Sequence, residues 1–173
     1  MHKKILPFVA LALTGFLTPT THGEEDYQIV AVEETWSFTI GEPDPSKTSP
    51  QVSTMMGPFN SARTSHFVFT LNHTNSPSFS PGGMQIQLWN GESLQSYVSG
   101  PKTGVLSNTG ETVRWTQRLS VNNGTATFEV KSGSSTTWGS FGGQGYLKAT
   151  VGGVTDFSPL KVVSVAYFAL VLA

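Results

Sequence analysis

Cysteine is absent from all 173 residues. That excludes a disulfide scaffold and any thiolate metal site, so side-chain packing must hold the fold. Charge is also scarce. Asp, Glu, Lys and Arg make up 12% of the chain, against roughly 25% in an ordinary domain. The bases are scattered, with no run of them, so nothing matches the basic footprint of a nucleic-acid-binding protein. Only four histidines occur, at 2, 22, 66 and 73. Three aspartates (Asp26, Asp44 and Asp156) are too few for an acidic calcium cage. The glycines at 139, 142, 143 and 145 match neither a phosphate loop nor a dinucleotide fingerprint, and no helical segment follows them. There is no internal repeat.

Polarity comes from uncharged groups, 20 Ser and 21 Thr, and the chain carries 18 Gly and 10 Pro. That inventory suits short strands joined by many turns. Seven of the eleven acids lie between residues 24 and 44; from residue 45 onward there are four acids and eight bases. The formal charge is −1 and becomes −3 when Lys3 and Lys4 are removed.

Those two lysines matter because residues 1–23 are laid out as a secretory signal peptide: a basic start, an apolar stretch over 5–17, then small polar residues. Thirteen residues with Pro7 and Gly15 inside are too short to cross a bilayer permanently, which takes about 20. No cysteine follows to carry a lipid anchor. The expectation is a leader over 1–23 and one domain over 24–173, secreted, periplasmic or at the cell surface, from a bacterium. His66 and His73 are then the only histidines of the mature chain, which excludes a three-histidine metal centre. No metal, other cofactor or stable membrane span is expected.

The dominant periodicity is two, the period of strands. Trp36, Phe38 and Ile40 alternate with Thr35, Ser37 and Thr39; residues 51–56 form a weaker strand ended by Gly57-Pro58. Phe67, Phe69 and Leu71 share one side of a strong strand over 65–72, with His66, Val68 and Thr70 on the other. Met84, Ile86 and Leu88 alternate with Gln85, Gln87 and Trp89 until Asn90-Gly91, a turn signal. The clearest element is a hairpin over 111–131. Val113, Trp115, Gln117, Leu119 and Val121 face inward on its first arm, and Ala126, Phe128 and Val130 on its second, across Asn122-Asn123-Gly124. Residues 132–145 are flexible by composition, but Trp138 and Phe141 suggest that they fold back onto the body. Residues 146–151 read as a further strand. Residues 162–173 read as a final buried strand, with an outer-membrane strand or a truncated end as alternatives. Eight to ten short strands suggest an antiparallel sandwich or barrel.

Catalytic patterns are thin. No G-x-S-x-G elbow occurs; Gly139-Ser140-Phe141-Gly142 resembles one only superficially. Glu92, Glu111, Glu129 and Asp156 are the acids past the N-terminal block, and no strand carries two at alternate positions. They read as solvated turn and surface acids, with Glu129 in cross-strand pairing with Arg114 or Arg118. Asn72-His73-Thr74 and Asn123-Gly124-Thr125 match the glycosylation sequon; in a bacterium both would stay unmodified. Trp36 and Trp115 alternate with core residues and belong to the core. Trp89, on the polar side of its strand, and Trp138, among small hydroxyl residues, are the candidate ligand contacts. Their rings suit the apolar face of a sugar, while neighbouring amides and hydroxyls suit its hydroxyl groups. Packing in a second layer under loops is the alternative for both.

The run over 111–143, ETVRWTQRLSVNNGTATFEVKSGSSTTWGSFGG, resembles a strand pair of the concanavalin A-like lectin and glucanase sandwiches, which include laminin G-like modules. It covers about a fifth of the chain. The resemblance implies a jelly-roll sandwich and binding of a glycan or surface polymer. It transfers no site residue, because the family's strand of alternating acids and its Asp/Asn-rich metal loop are both missing. The function expected is an exported or cell-surface binding module for carbohydrate or another polymer, without catalysis. The alternative is a structural or accessory envelope protein acting through protein-protein assembly.

Overall fold

The computed structural model describes residues 31–41, 51–60, 62–72, 83–100, 105–143, 146–155, 157 and, for their backbone, 163–169. The expected leader and His73 lie outside the described residues. Among the described residues ten strands follow one another: β1 (Ala31–Thr39), β2 (Gln51–Gly57), β3 (Ser65–Asn72), β4 (Met84–Asn90), β5 (Ser93–Ser99), β6 (Thr112–Asn122), β7 (Thr125–Ser135), β8 (Gly139–Phe141), β9 (Lys148–Val151) and β10 (Val163–Ala169). Among the described residues there is no helix.

The strands form two antiparallel sheets of five. One runs β1-β6-β7-β8, with β9 also paired to β7, and the other runs β10-β2-β3-β4-β5. The chain is thus all-β, a sandwich of two antiparallel layers. The hairpin is the backbone of the first sheet. Its two-residue turn places Asn123 at φ 49° and Gly124 at φ 71°. Both central residues are left-handed there, as the tightest hairpin loops require. The C-terminal apolar run supplies β10, which pairs with β2 from Val163↔Gly57 to Ala169↔Gln51.

Alternation then decides burial. Val52, Met56, Phe67, Phe69, Leu71, Met84, Ile86 and Leu88 of the second sheet meet Val113, Trp115, Leu119, Ala126, Phe128 and Val130 of the first. Aromatic rings carry the contact. Phe59 stacks on Phe67 with centroids 4.8 Å apart, and Phe67 stacks on Phe128 at 5.5 Å. Phe69 meets the edge of Trp115 at 5.6 Å. Removing one such ring costs roughly 3–5 kcal/mol in a close-packed core.

One polar bridge crosses this interior. Gln117 is fully buried and its Oε1 accepts from Thr54 Oγ1 (2.8 Å) and from Trp115 Nε1 (2.9 Å). Its Nε2 donates to the buried Glu34 carboxylate at 2.5 Å. Thr54 belongs to the second sheet and the other three to the first, so the bridge fixes how the layers register. Buried polar groups cost stability unless paired, and this set is paired across strands.

Four features depart from the pattern read in the sequence. Residues 93–99 form β5, a strand not anticipated, because every residue in it is exposed and its apolar residues do not alternate. Residues 132–135 extend β7, and residues 139–141 add β8. Gly133 makes this possible: a Cβ there would meet the Phe141 ring at 2.2 Å. Glu111 is buried at 1% exposure rather than solvated. Finally, Glu129 stands opposite Arg118 in register, yet its ion pair is with Lys131 of its own strand, at 3.6 Å.

Candidate functional site

The outer face of the second sheet carries the first of the two candidate tryptophans. Met84, Ile86 and Leu88 turn into the core, so Gln85, Gln87 and Trp89 turn to the opposite face, where Gln85 is itself buried and Gln87 and Trp89 are half-buried. They form a ladder of hydrogen bonds. Trp89 Nε1 donates to Gln87 Oε1 (3.0 Å), Gln87 Nε2 to Gln85 Oε1 (2.7 Å), and Gln85 Nε2 to Ser99 Oγ (3.3 Å). The indole is half-buried and its N–H is committed along the strand. What it offers a ligand is ring surface.

Its neighbours are set by register. His66 of β3 lies opposite Trp89 on one side, and Leu94 of β5 on the other. Leu94 reaches that place because β5 bulges: Leu88 pairs with Ser96, but Trp89 pairs with Leu94, leaving Gln95 between them. Tyr97 stands opposite Gln87. Leu94 and Tyr97 are 41% and 61% exposed, so an apolar strip lies open beside the amide ladder.

Past His66 the face falls into a groove of about 280 Å³, lined by Met55, Gly57, Pro58, Arg63, Thr64, His66 and Gly91. Local chemistry makes its wall rigid. Asn60 Oδ1 accepts from the backbone N–H groups of Thr64 and Ser65, both at 2.9 Å, and its Nδ2 donates to Thr64 Oγ1 at 3.0 Å. The Arg63 N–H donates to the Asn60 carbonyl at 3.0 Å, which holds Arg63 at φ 56°. A non-glycine residue keeps that left-handed conformation only where its surroundings over-determine it. The Thr64 carbonyl takes the Gly91 N–H at 2.9 Å, locking the β4–β5 turn to this loop. The same carbonyl lies 3.1 Å from His66 Nδ1. A carbonyl only accepts, so Nδ1 carries the proton and Nε2 is left for other partners. Gly57 is needed beneath: a Cβ there would meet His66 Cβ at 2.6 Å.

Trp138 is set differently. Its Nε1 donates to Glu111 Oε1, and its ring tilts against Phe141 with centroids 4.8 Å apart. The Glu111 carboxylate also accepts from Ser135 Oγ (3.1 Å), from the Leu106 N–H (3.2 Å) and from the Ser107 N–H (3.2 Å). It therefore ties the turn after β7 to the loop before β6. Leu106, fully buried at φ 59°, is held by that bond. The two tryptophans are not brought together. They sit on different sheets, and the core contacts place them toward opposite ends. The Trp89 end of β3 and β4 faces Phe128, whereas Trp138 follows the end of β7 that pairs with Val113.

Among the described residues the acids do not converge, and Asp156 lies outside them. Glu34 and Glu111 are each buried in separate hydrogen-bond sets, Glu129 faces outward with Lys131, and Glu92 is exposed in the β4–β5 turn. Among the described residues, no three His, Asp or Glu side chains are grouped to hold a metal ion. A second, smaller hollow of about 170 Å³ lies on the first sheet, lined by Arg114, Trp115, Thr116, Ser132, Gly133 and Ser134. No family model, no curated protein and no solved structure matches this chain.

Proposed function

We propose that the chain is an exported or cell-surface module that binds a carbohydrate or another surface polymer on the outer face of its second sheet. The observation that carries this reading is Trp89. Its ring stands between His66 and Leu94, with its N–H already used by Gln87, beside a groove and a row of amides. A flat ring gives apolar contact to one face of a sugar, and the half-buried Gln87 amide and the His66 imidazole stand beside it for its hydroxyls. Trp138 serves in this reading as a brace, because its polar atom is spent on Glu111. The concanavalin A-like, jelly-roll form of the sandwich belongs to the same proposal. It is supported by a chain that passes between the sheets three times, from β1 to β2, β5 to β6 and β9 to β10.

The test is retention of the purified chain by insoluble and gel-embedded polysaccharides. Retention is expected, with Trp89→Ala abolishing it while the melting temperature stays within a few degrees. A set of polysaccharides none of which retains the chain would refute the reading. One observation favours assembly with other proteins instead. All seven residues of the edge strand β5 are exposed, including Leu94, Tyr97 and Val98. Sedimentation that depends on concentration, with no polymer retained, would favour that second reading.

A further inference from the structure

We propose that the groove beside Trp89 takes an acidic sugar, with Arg63 holding its carboxylate or sulfate group. This rests on the reading of Trp89 as a sugar platform and names the class of polymer.

The outer faces of the two sheets differ in charge. On the first sheet, Arg118 stands in register between Glu33 and Glu129, and Lys131 pairs with Glu129. On the second, the outward positions of β2 to β5 are hydroxyl, amide or apolar, apart from His66. Among the described residues, Arg63 is the one charged residue lining the groove. It is exposed, and among the described residues it makes no ion pair. Glu92, in the adjoining turn, does not pair with it.

An unpartnered guanidinium in water is unremarkable on a mobile lysine-like tether. Here its backbone is held left-handed by Asn60, and its loop is bonded to the β4–β5 turn through Thr64. A guanidinium offers a planar fork of donors that fits a carboxylate or sulfate with two parallel bonds. The loop fixes the root of the side chain beside the groove, while the guanidinium itself is exposed and free to turn toward a ligand. His66 lines the same groove with Nδ1 held on the Thr64 carbonyl, so its ring supplies a second polar contact for a sugar that bridges Arg63 and the Trp89 ring. The chain as a whole carries a formal charge of −1. A polyanion therefore has no general attraction to it, and any preference for one must arise locally.

The experiment is affinity electrophoresis of the full chain in gels containing polygalacturonate, its methyl ester, dextran sulfate or dextran. Each acidic polymer has a neutral partner of the same backbone, and the two pairs separate a carboxylate from a sulfate ligand. At least one acidic polymer is expected to bind about tenfold more tightly than its neutral partner, the effect of one charged hydrogen-bond pair. Arg63→Gln should erase that difference, and Glu92→Gln should widen it. Trp89→Ala should weaken both members of a pair together. Equal binding of acidic and neutral partners, or an acidic preference that survives Arg63→Gln, overturns the assignment of Arg63 while the Trp89 platform stands. No retention by any of the four overturns the assignment as well. Retention of other, purely neutral polymers in that case would show that the platform reading survives alone.

Discussion

At Trp138 the indole N–H ends on the Glu111 carboxylate, which also gathers two backbone N–H groups and a serine hydroxyl. At Trp89 it ends on the Gln87 amide, the first of a line of amides that runs out to Ser99. Both rings are half-buried, Trp89 on the polar side of its strand and Trp138 among small hydroxyl residues. The difference lies in the acceptor. A buried carboxylate that has collected four donors fixes its tryptophan as part of the scaffold. A half-buried amide with further partners of its own leaves the ring less tightly fixed. Trp115 falls between the two, fully enclosed and bonded to the inter-sheet amide of Gln117. Trp36 completes the series: its ring stacks on Trp115 at 6.5 Å and, among the described residues, its buried N–H has no partner.

That contrast can be broken by substitution. Glu111→Ala strands four donors and should lower the unfolding free energy by on the order of 4 kcal/mol, read as a shift in the urea midpoint at unchanged slope. Gln117→Leu leaves Glu34, Thr54 and the Trp115 N–H unpaired in the core, for an expected loss of about 2–3 kcal/mol in the same measurement. Trp138→Phe removes one donor to a charged acceptor and should cost roughly 2 kcal/mol, with polymer retention intact. Trp89→Phe should cost only about 0.5–1 kcal/mol and yet weaken retention several-fold. Equal stability losses at Trp89 and Trp138 would collapse the distinction.

The smallest effect concerns Tyr146, whose hydroxyl donates to Met84 Sδ at 3.5 Å. Desolvation by burial pushes its phenol above the ordinary tyrosine value. The folded state thus favours the protonated form. Its contribution is complete below the unfolded value of about 10 and is lost as pH rises through the folded one. Thermal melts above that value should therefore fall more steeply for the wild type than for Tyr146→Phe. Parallel curves would show that the phenol is not protected.

Much of the scaffold is legible because a strand with one wet face writes period two into its sequence. Ser65–Asn72 has the bounds that its alternation implies, and the Asn123-Gly124 turn carries the positive φ angles that its residues allow. β5 escaped because its bulge at Gln95 breaks the alternation and its apolar residues stay exposed. Glu111 escaped because a carboxylate between Gly110 and Thr112 reads as wet. Its burial depends on N–H groups that a left-handed Leu106 delivers from the preceding loop. At the candidate site, the polar side of β4 was enough to single out Trp89. The roles of His66 and Arg63 were not visible, since the first depends on strand register and the second on a loop conformation held by Asn60.

The bulge at Gln95 has a consequence for how molecules of this chain coexist. β5 offers an open row of backbone donors and acceptors with no lysine, no proline and no charge to discourage a newcomer strand. An extra residue in one ribbon coils it more tightly and interrupts the even spacing of its peptide groups. A second edge could then match it for only a few residues before the two curves diverge. At this edge curvature, rather than charge, is the feature that opposes a long pairing between two copies.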